Sequence, residues 1–188
     1  PLPDKDCSQD VPRFTISVSR LNQLSSPLLD MARPARVYVP LEEVPWLEAL
    51  PSGETEWCVT LPRVWRDRDE SSLLDLLRKA RALGFTGVLM GNLGHIPLVR
   101  GLDFHLYGDY GLNVFNAWSF EYLREKGLES ACVSFELRFA QIRDLQKVLP
   151  AEAIVYGRLP LMITENCLVQ NGTGCSLDRQ GAWIPESG

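Results

Sequence analysis

Charged and amide side chains recur in this sequence directly after short β-branched runs. Arg63 follows WCVTL, Asn92 and His95 follow GVLM, Asp109 follows FHLY, Glu136 follows ACVS and Arg158 follows AIVY. A carboxylate so placed can act as a general base, and an arginine can pair bidentately with an anionic group. A histidine can exchange protons near neutral pH. Asp109, Glu136 and His95 are the catalytic candidates on that chemistry. Arg63, Asn92, Asn113, Asn116, Arg158 and Glu165 are the candidates for holding a substrate, a peptide or a small anion. The second histidine, His105, falls mid-strand and reads as packed in the core or the barrel interior. No HExxH, GxSxG or Gly-rich phosphate loop is present, so a zinc protease, a nucleophile elbow and a P-loop enzyme lack their usual signatures.

The densest group of such residues is Tyr156 to Cys175, YGRLPLMITENCLVQNGTGC. Cys167 and Cys175 flank a turn-rich segment there and could place two thiolates on a metal or an iron-sulfur cluster. A cluster normally takes four such ligands, so the pair is either half of a site or two ordinary thiols. Cys58 falls inside a strand pattern and reads as a small core residue, because free cysteine is among the most buried side chains. Cys132, also in a strand pattern, is not expected as a third ligand.

Positioning side chains from many separate strands at one place requires a particular architecture. Seven strand candidates lie near residues 16, 38, 59, 89, 105, 133 and 155, separated by amphipathic segments. The pattern predicts βαβ units around a parallel sheet. Helices are expected over Ser71–Leu83, capped by Ser71 or Ser72 and ended by Gly84, over Ala117–Lys126 with Gly127 after it, and over about Arg138–Val148. A first helical segment carries Leu21, Leu24, Leu28 and Leu29 with Ser19 as its cap, and Pro27 argues against one unbroken helix. The resulting expectation is an α/β fold, a TIM-barrel-like (β/α) barrel that is incomplete or distorted, with a C-terminal cysteine-containing tail. In such barrels polar residues gather at the carboxyl ends of the strands. A doubly wound open sheet is the alternative. The expected division is a linker over 1–12, the barrel over 13–165 and the tail over 166–188.

At 188 residues the chain is long enough to bury roughly 70% of its unfolded surface in one domain without a disulfide or metal staple. A net charge of −5 and the alternation of Arg63, Arg66 and Arg68 with Asp67, Asp69 and Glu70 leave no basic patch for nucleic-acid phosphates. No apolar run approaches the roughly 20 residues that cross a bilayer, so no membrane partner is expected. Five cysteines without a framework rhythm point to free thiols and a cytoplasmic setting. The opening Pro-Leu-Pro, with no initiator methionine or apolar leader, reads as a piece of a longer polypeptide whose other domains are its partners.

The segments LPR (61–63), GNLG (91–94), GDYGLNVFN (108–116), SFEL (134–137), YGRLPLMITENC (156–167) and DRQGAWIP (178–185) together resemble peptidase family U32, the collagenase-like peptidases, in a longer bacterial form. The resemblance implies a barrel module with peptide- or collagen-degrading activity of unassigned catalytic type. It also implies an alternative, because other members bind a four-iron, four-sulfur cluster through four cysteines and support hydroxylation of RNA bases or of aromatic precursors. Cys167 and Cys175 match the family's cysteine region, and RNA becomes a partner under that alternative. A third reading, without catalysis, is a barrel that serves as a scaffold for a partner domain.

Overall fold

The computed structural model describes residues 12–160, Ile163, Ser176–Leu177 and Trp183–Ile184. The chain divides into two units, one ending at Ile154 and the other running from Val155. The first holds seven parallel strands, β1 (Thr15–Ser17), β2 (Arg36–Pro40), β3 (Glu56–Thr60), β4 (Gly87–Met90), β5 (His105–Gly108), β6 (Ser130–Cys132) and β7 (Ala151–Glu152). Among the described residues each pairs only with its sequence neighbours, in the order β1 to β7. A doubly wound sheet reverses its strand order midway. This sheet does not, and successive right-handed crossovers keep its helices on one face while it curls toward a barrel. The fold is α/β, an incomplete TIM-like barrel. The second unit includes an antiparallel pair, β8 (Ser176–Leu177) with β9 (Trp183–Ile184).

The helices are α1 (Ser26–Ala32), α2 (Glu70–Leu83), α3 (His95–Val99), α4 (Ala117–Glu125) and α5 (Phe139–Asp144). The first leucine-rich segment is split as Pro27 suggests, into a 3₁₀ turn over Leu21–Gln23 and α1, whose cap is Ser25 and not Ser19. The helix α2 starts directly from a 3₁₀ turn over Asp67–Asp69, so Ser71 and Ser72 fall inside it, and Ser72 Oγ donates to the Asp69 carbonyl. It ends on Gly84 at φ +102°, where a residue with a Cβ would be strained. Its Leu73, Leu77 and Ala80 pack with Val37, Val59, Val88 and Met90 in the main core. That layer is the usual apolar contact between helices and the outer face of a barrel sheet.

Alternate residues of the same strands point the other way, into the barrel. The cluster Tyr38, Cys58, Leu89 and Tyr107 fills its middle. Gly87 is required there, since a Cβ at that position would lie 2.5 Å from Cys58 Sγ and 2.7 Å from Tyr107 Cε2. Toward the amino ends of the strands the interior is ionic. Arg36 donates to Glu56 Oε2 at 3.0 Å and to Glu152 Oε1 at 2.7 Å, and its guanidinium lies 4.0 Å from the Tyr107 ring centroid. Tyr107 donates to Glu56 at 2.9 Å, while Tyr38 and the fully buried Ser130 donate to Glu152 at 2.8 Å. The remaining Glu152 oxygen accepts from Thr15 Oγ1 at 3.2 Å. A side chain on β7 thereby reaches β1, a strand with which β7 shares no backbone ladder among the described residues.

The seventh strand differs from expectation. The apolar run Ala153–Tyr156 reads as a strand, yet the ladder uses Ala151 and Glu152, and Val155 and Tyr156 are exposed. The barrel interior at that end demands a carboxylate, which outweighs the β-propensity of the residues after it. His105 also differs. It lies at the outer start of β5 with an exposed ring whose Nδ1 is 2.6 Å from Glu129. Replacing Glu152 by alanine should lower unfolding stability by on the order of 3 kcal/mol, because it removes one of the two carboxylates that pair with Arg36 and the acceptor of the Tyr38 and Ser130 hydroxyls. Arg78→Ala, which removes an exposed pair with Asp75, should stay within about 0.5 kcal/mol. Urea unfolding of both variants checks this.

Candidate functional site

The parallel ladder carries β3, β4 and β5 to one rim. Leu61 N–H donates to the Leu89 carbonyl at 2.9 Å, and Asp109 N–H donates to the Met90 carbonyl at 2.8 Å. Just past those bonds the loops bring Arg63, Gly91, Asp109, Tyr110 and Gly111 together. The Arg63 guanidinium lies 4.6 Å from the centre of the Tyr110 ring. Asp109 caps the 3₁₀ turn over Tyr110–Leu112, its Oδ1 accepting from Tyr110 N–H at 2.8 Å. That leaves Oδ2 facing the Gly91 backbone, 3.5 Å from where a Gly91 Cβ would stand.

Two glycines make this approach feasible. A Cβ on Gly111 would sit 2.8 Å from the Gly91 carbonyl oxygen and 3.1 Å from Arg63 Nη2. Contacts that short on backbone cannot be relieved by a rotamer change. Burial raises the Asp109 pKa above the ordinary carboxylate range, opposed by the Tyr110 N–H bond and by the Arg63 charge. Desolvation likewise raises Tyr110, with Arg63 opposing it. The result is a carboxylate held out of water beside a cation, the environment that tunes a general base toward working pH.

The other sequence candidates are distributed differently. Asn116 caps α4, its Oδ1 accepting from Ser119 N–H at 2.9 Å, and Asn92 Oδ1 accepts from Gly94 N–H at 2.9 Å. Both amides thus hold their own loops. Asn113 is exposed and supplies a left-handed backbone turn at φ +51°. Glu136 is exposed in the turn after β6, where its N–H donates to Ser134 Oγ at 3.3 Å. Arg158 is exposed and belongs to the second unit. Glu165, Cys167 and Cys175 lie outside the described residues.

His95 is the main surprise among the catalytic candidates. It is buried against Trp65, ring centroids 5.6 Å apart, and both its nitrogens are sealed from solvent without a hydrogen-bond partner. Burial lowers its pKa, which keeps the ring neutral. In this geometry it packs the loop after β4 onto the loop after β3. GNLGHIP reads as an open loop, yet Ile96 and Val99 pull its end into the core.

Cys58 and Cys132 are buried free thiols. Desolvation raises both, Cys132 to about 12, so neither offers a thiolate at neutral pH. Among the described residues no three His, Cys, Asp or Glu side chains gather as a metal site. The described cysteines therefore do not fit a cluster. Tyr110, Gly111 and Phe135 were missed as site residues. Phe135 meets the Tyr110 ring edge-on at 6.1 Å, a contact between two loops that no linear spacing encodes.

Polar groups converging at the carboxyl rim of an incomplete parallel β/α barrel define a TIM-barrel-like class of protein. The chain belongs to peptidase family U32, whose family model matches residues 47–182. The solved structure of the U32 peptidase Mk0906 is similar in fold, with a TM-score of 0.55 at 14% identity over 80% of this chain and 71% of that one. A search of the curated proteins found no match. Among the described residues no helix is long and apolar enough to cross a membrane.

Two measurements probe the packing of the site. Gly111→Ala should force the Gly91 loop apart and lower stability by about 1–3 kcal/mol, read by thermal unfolding. His95 titrates lower folded than unfolded, so the unfolded chain takes the proton first and stability falls as pH drops below about 6.5. That fall ends once the folded pKa is passed. His95→Phe should flatten this part of the profile, measured as the urea midpoint between pH 7 and 5.

Proposed function

We propose that the carboxyl rim of this barrel hydrolyses peptide bonds, with Asp109 as general base and Arg63 as the cation that receives the developing negative charge. The reading rests on the juxtaposition of a desolvated Asp109 with Arg63 across the Gly91–Gly111 contact, and family membership supports it. In the step proposed, Asp109 takes a proton from water as the water oxygen attacks the carbonyl carbon. Arg63 N–H groups hold the oxyanion. On collapse the C–N bond breaks and the proton passes from Asp109 to the departing nitrogen, so one water yields an acid and an amine. A base whose pKa lies closer to working pH transfers protons more effectively, and preorganised donors at the oxyanion are a large source of rate.

On this reading the module acts on peptides or collagen-like chains, in the cytoplasm and beside other domains of a parent polypeptide. The cluster-dependent alternative, hydroxylation of RNA bases or of an aromatic precursor, rests on Cys167 and Cys175 and has no support from the described cysteines.

Cleavage of fluorogenic peptides and gelatin tests the proposal. Asp109→Asn should cost about 10²–10⁴ in kcat/KM and Arg63→Ala about 10², with Glu136→Gln within a few-fold. The rate should rise with pH through an acid limb above the ordinary aspartate value of about 3.9, because the base must be deprotonated. That limb should vanish in Asp109→Asn. Absence of cleavage by the native chain overturns the proposal. A cluster formed on anaerobic reconstitution and lost in Cys167→Ala would favour the alternative.

A further inference from the structure

The loops around Arg63 and Asp109 each expose one large apolar side chain. Val64 follows β3, Leu93 follows β4, Phe115 follows β5 and Phe135 follows β6. Scattered apolar residues are ordinary on a protein surface, but these recur on the loops of one rim and Phe135 is tied to its centre. The Arg63 guanidinium lies 4.6 Å from the Tyr110 ring, and Tyr110 meets Phe135 edge-on at 6.1 Å. The edge-on geometry leaves Phe135 51% exposed. Tyr110 is itself chained to Asp109 by the N–H bond to its carboxylate. Cation, phenol ring and phenyl ring thus form a continuous row leading out from the carboxylate.

A group bound at Arg63 and Asp109 with a polar end has an aromatic wall one ring away. A peptide carbonyl bound between Arg63 and Asp109 would place a neighbouring side chain there. A large apolar side chain gains most from that position, because it buries the open Phe135 surface and removes water beside Asp109, which strengthens the charge interactions of the site.

We infer that Phe135 is the specificity wall of the rim and that the site selects peptides with an aromatic or large aliphatic side chain next to the bound carbonyl. This rests on the peptide reading of the Asp109–Arg63 pair, and binding and cleavage tests separate the two. Equilibrium binding of a set of blocked tetrapeptides that differ at one position, Phe, Leu, Ala or Asp, is measured on the full chain by calorimetry. The native protein should bind the Phe peptide about three- to tenfold more tightly than the Ala peptide, the range of an aromatic contact. Phe135→Ala should erase the difference, and Phe135→Leu should keep the preference for Leu over Ala. Phe135 is half exposed, so both variants should fold, and circular dichroism verifies it. Equal binding of all four peptides by the native protein, no binding of any, or an unchanged preference in Phe135→Ala overturns the inference. A preference that depends on Phe135 without cleavage of any peptide leaves the wall standing and removes the hydrolytic role.

Discussion

Glu152 is the interaction on which this barrel depends. Among the described residues the backbone ladder runs from β1 to β7, and no ladder joins the first of these strands to the last. One carboxylate links them, accepting from Thr15 on β1, Arg36 and Tyr38 on β2, and Ser130 on β6. Glu56 answers from β3, held by the same arginine and by Tyr107. Tyr38 and Tyr107 are held firmly protonated, burial first and the adjacent carboxylates next raising their pKa values. Hydrogen bonds to charged acceptors in a half-dry interior are the strong ones. They replace at the amino ends of the strands what a closed ladder supplies elsewhere.

That closure at one end frees the other. With the sheet held curved from below, the loops after β3, β4 and β5 project from one edge and Gly91 and Gly111 can touch. Arg63 and Asp109 are brought together by this contact and by the Tyr110 ring between loops. The packing of His95 on Trp65 fixes the β3 and β4 loops from behind. Barrel interior and rim thus divide these polar residues, the lower set tied together by hydrogen bonds and the upper set led by a desolvated Asp109 near Arg63.

Much of this was legible in linear form. The β-branched runs, the leucine period of α2, Gly84 and Gly127 announced a parallel β/α chain, because these features act through local sterics and burial. Cys58 reads as a buried core residue for the same reason. Asp109 and Arg63 were identified as strand-end residues by counting from the strands. Where local signals conflicted with the interior, they failed. Ala153–Tyr156 has stronger strand character than Ala151–Glu152, yet the shorter, more polar pair forms the ladder.

The sequence by itself determined the repeating grammar of strand, helix and polar strand end, since hydrophobic period and backbone preference are carried by neighbouring residues. Tertiary structure alone decided which polar groups meet. Arg36 and Glu152 are far apart in the chain and join only when the sheet curls. His95 turns inward because its loop is packed on another. Phe135 joins the site through a ring on a different loop. Each outcome depends on curvature and on contacts between segments distant in sequence, and neither is written in the spacing of one segment.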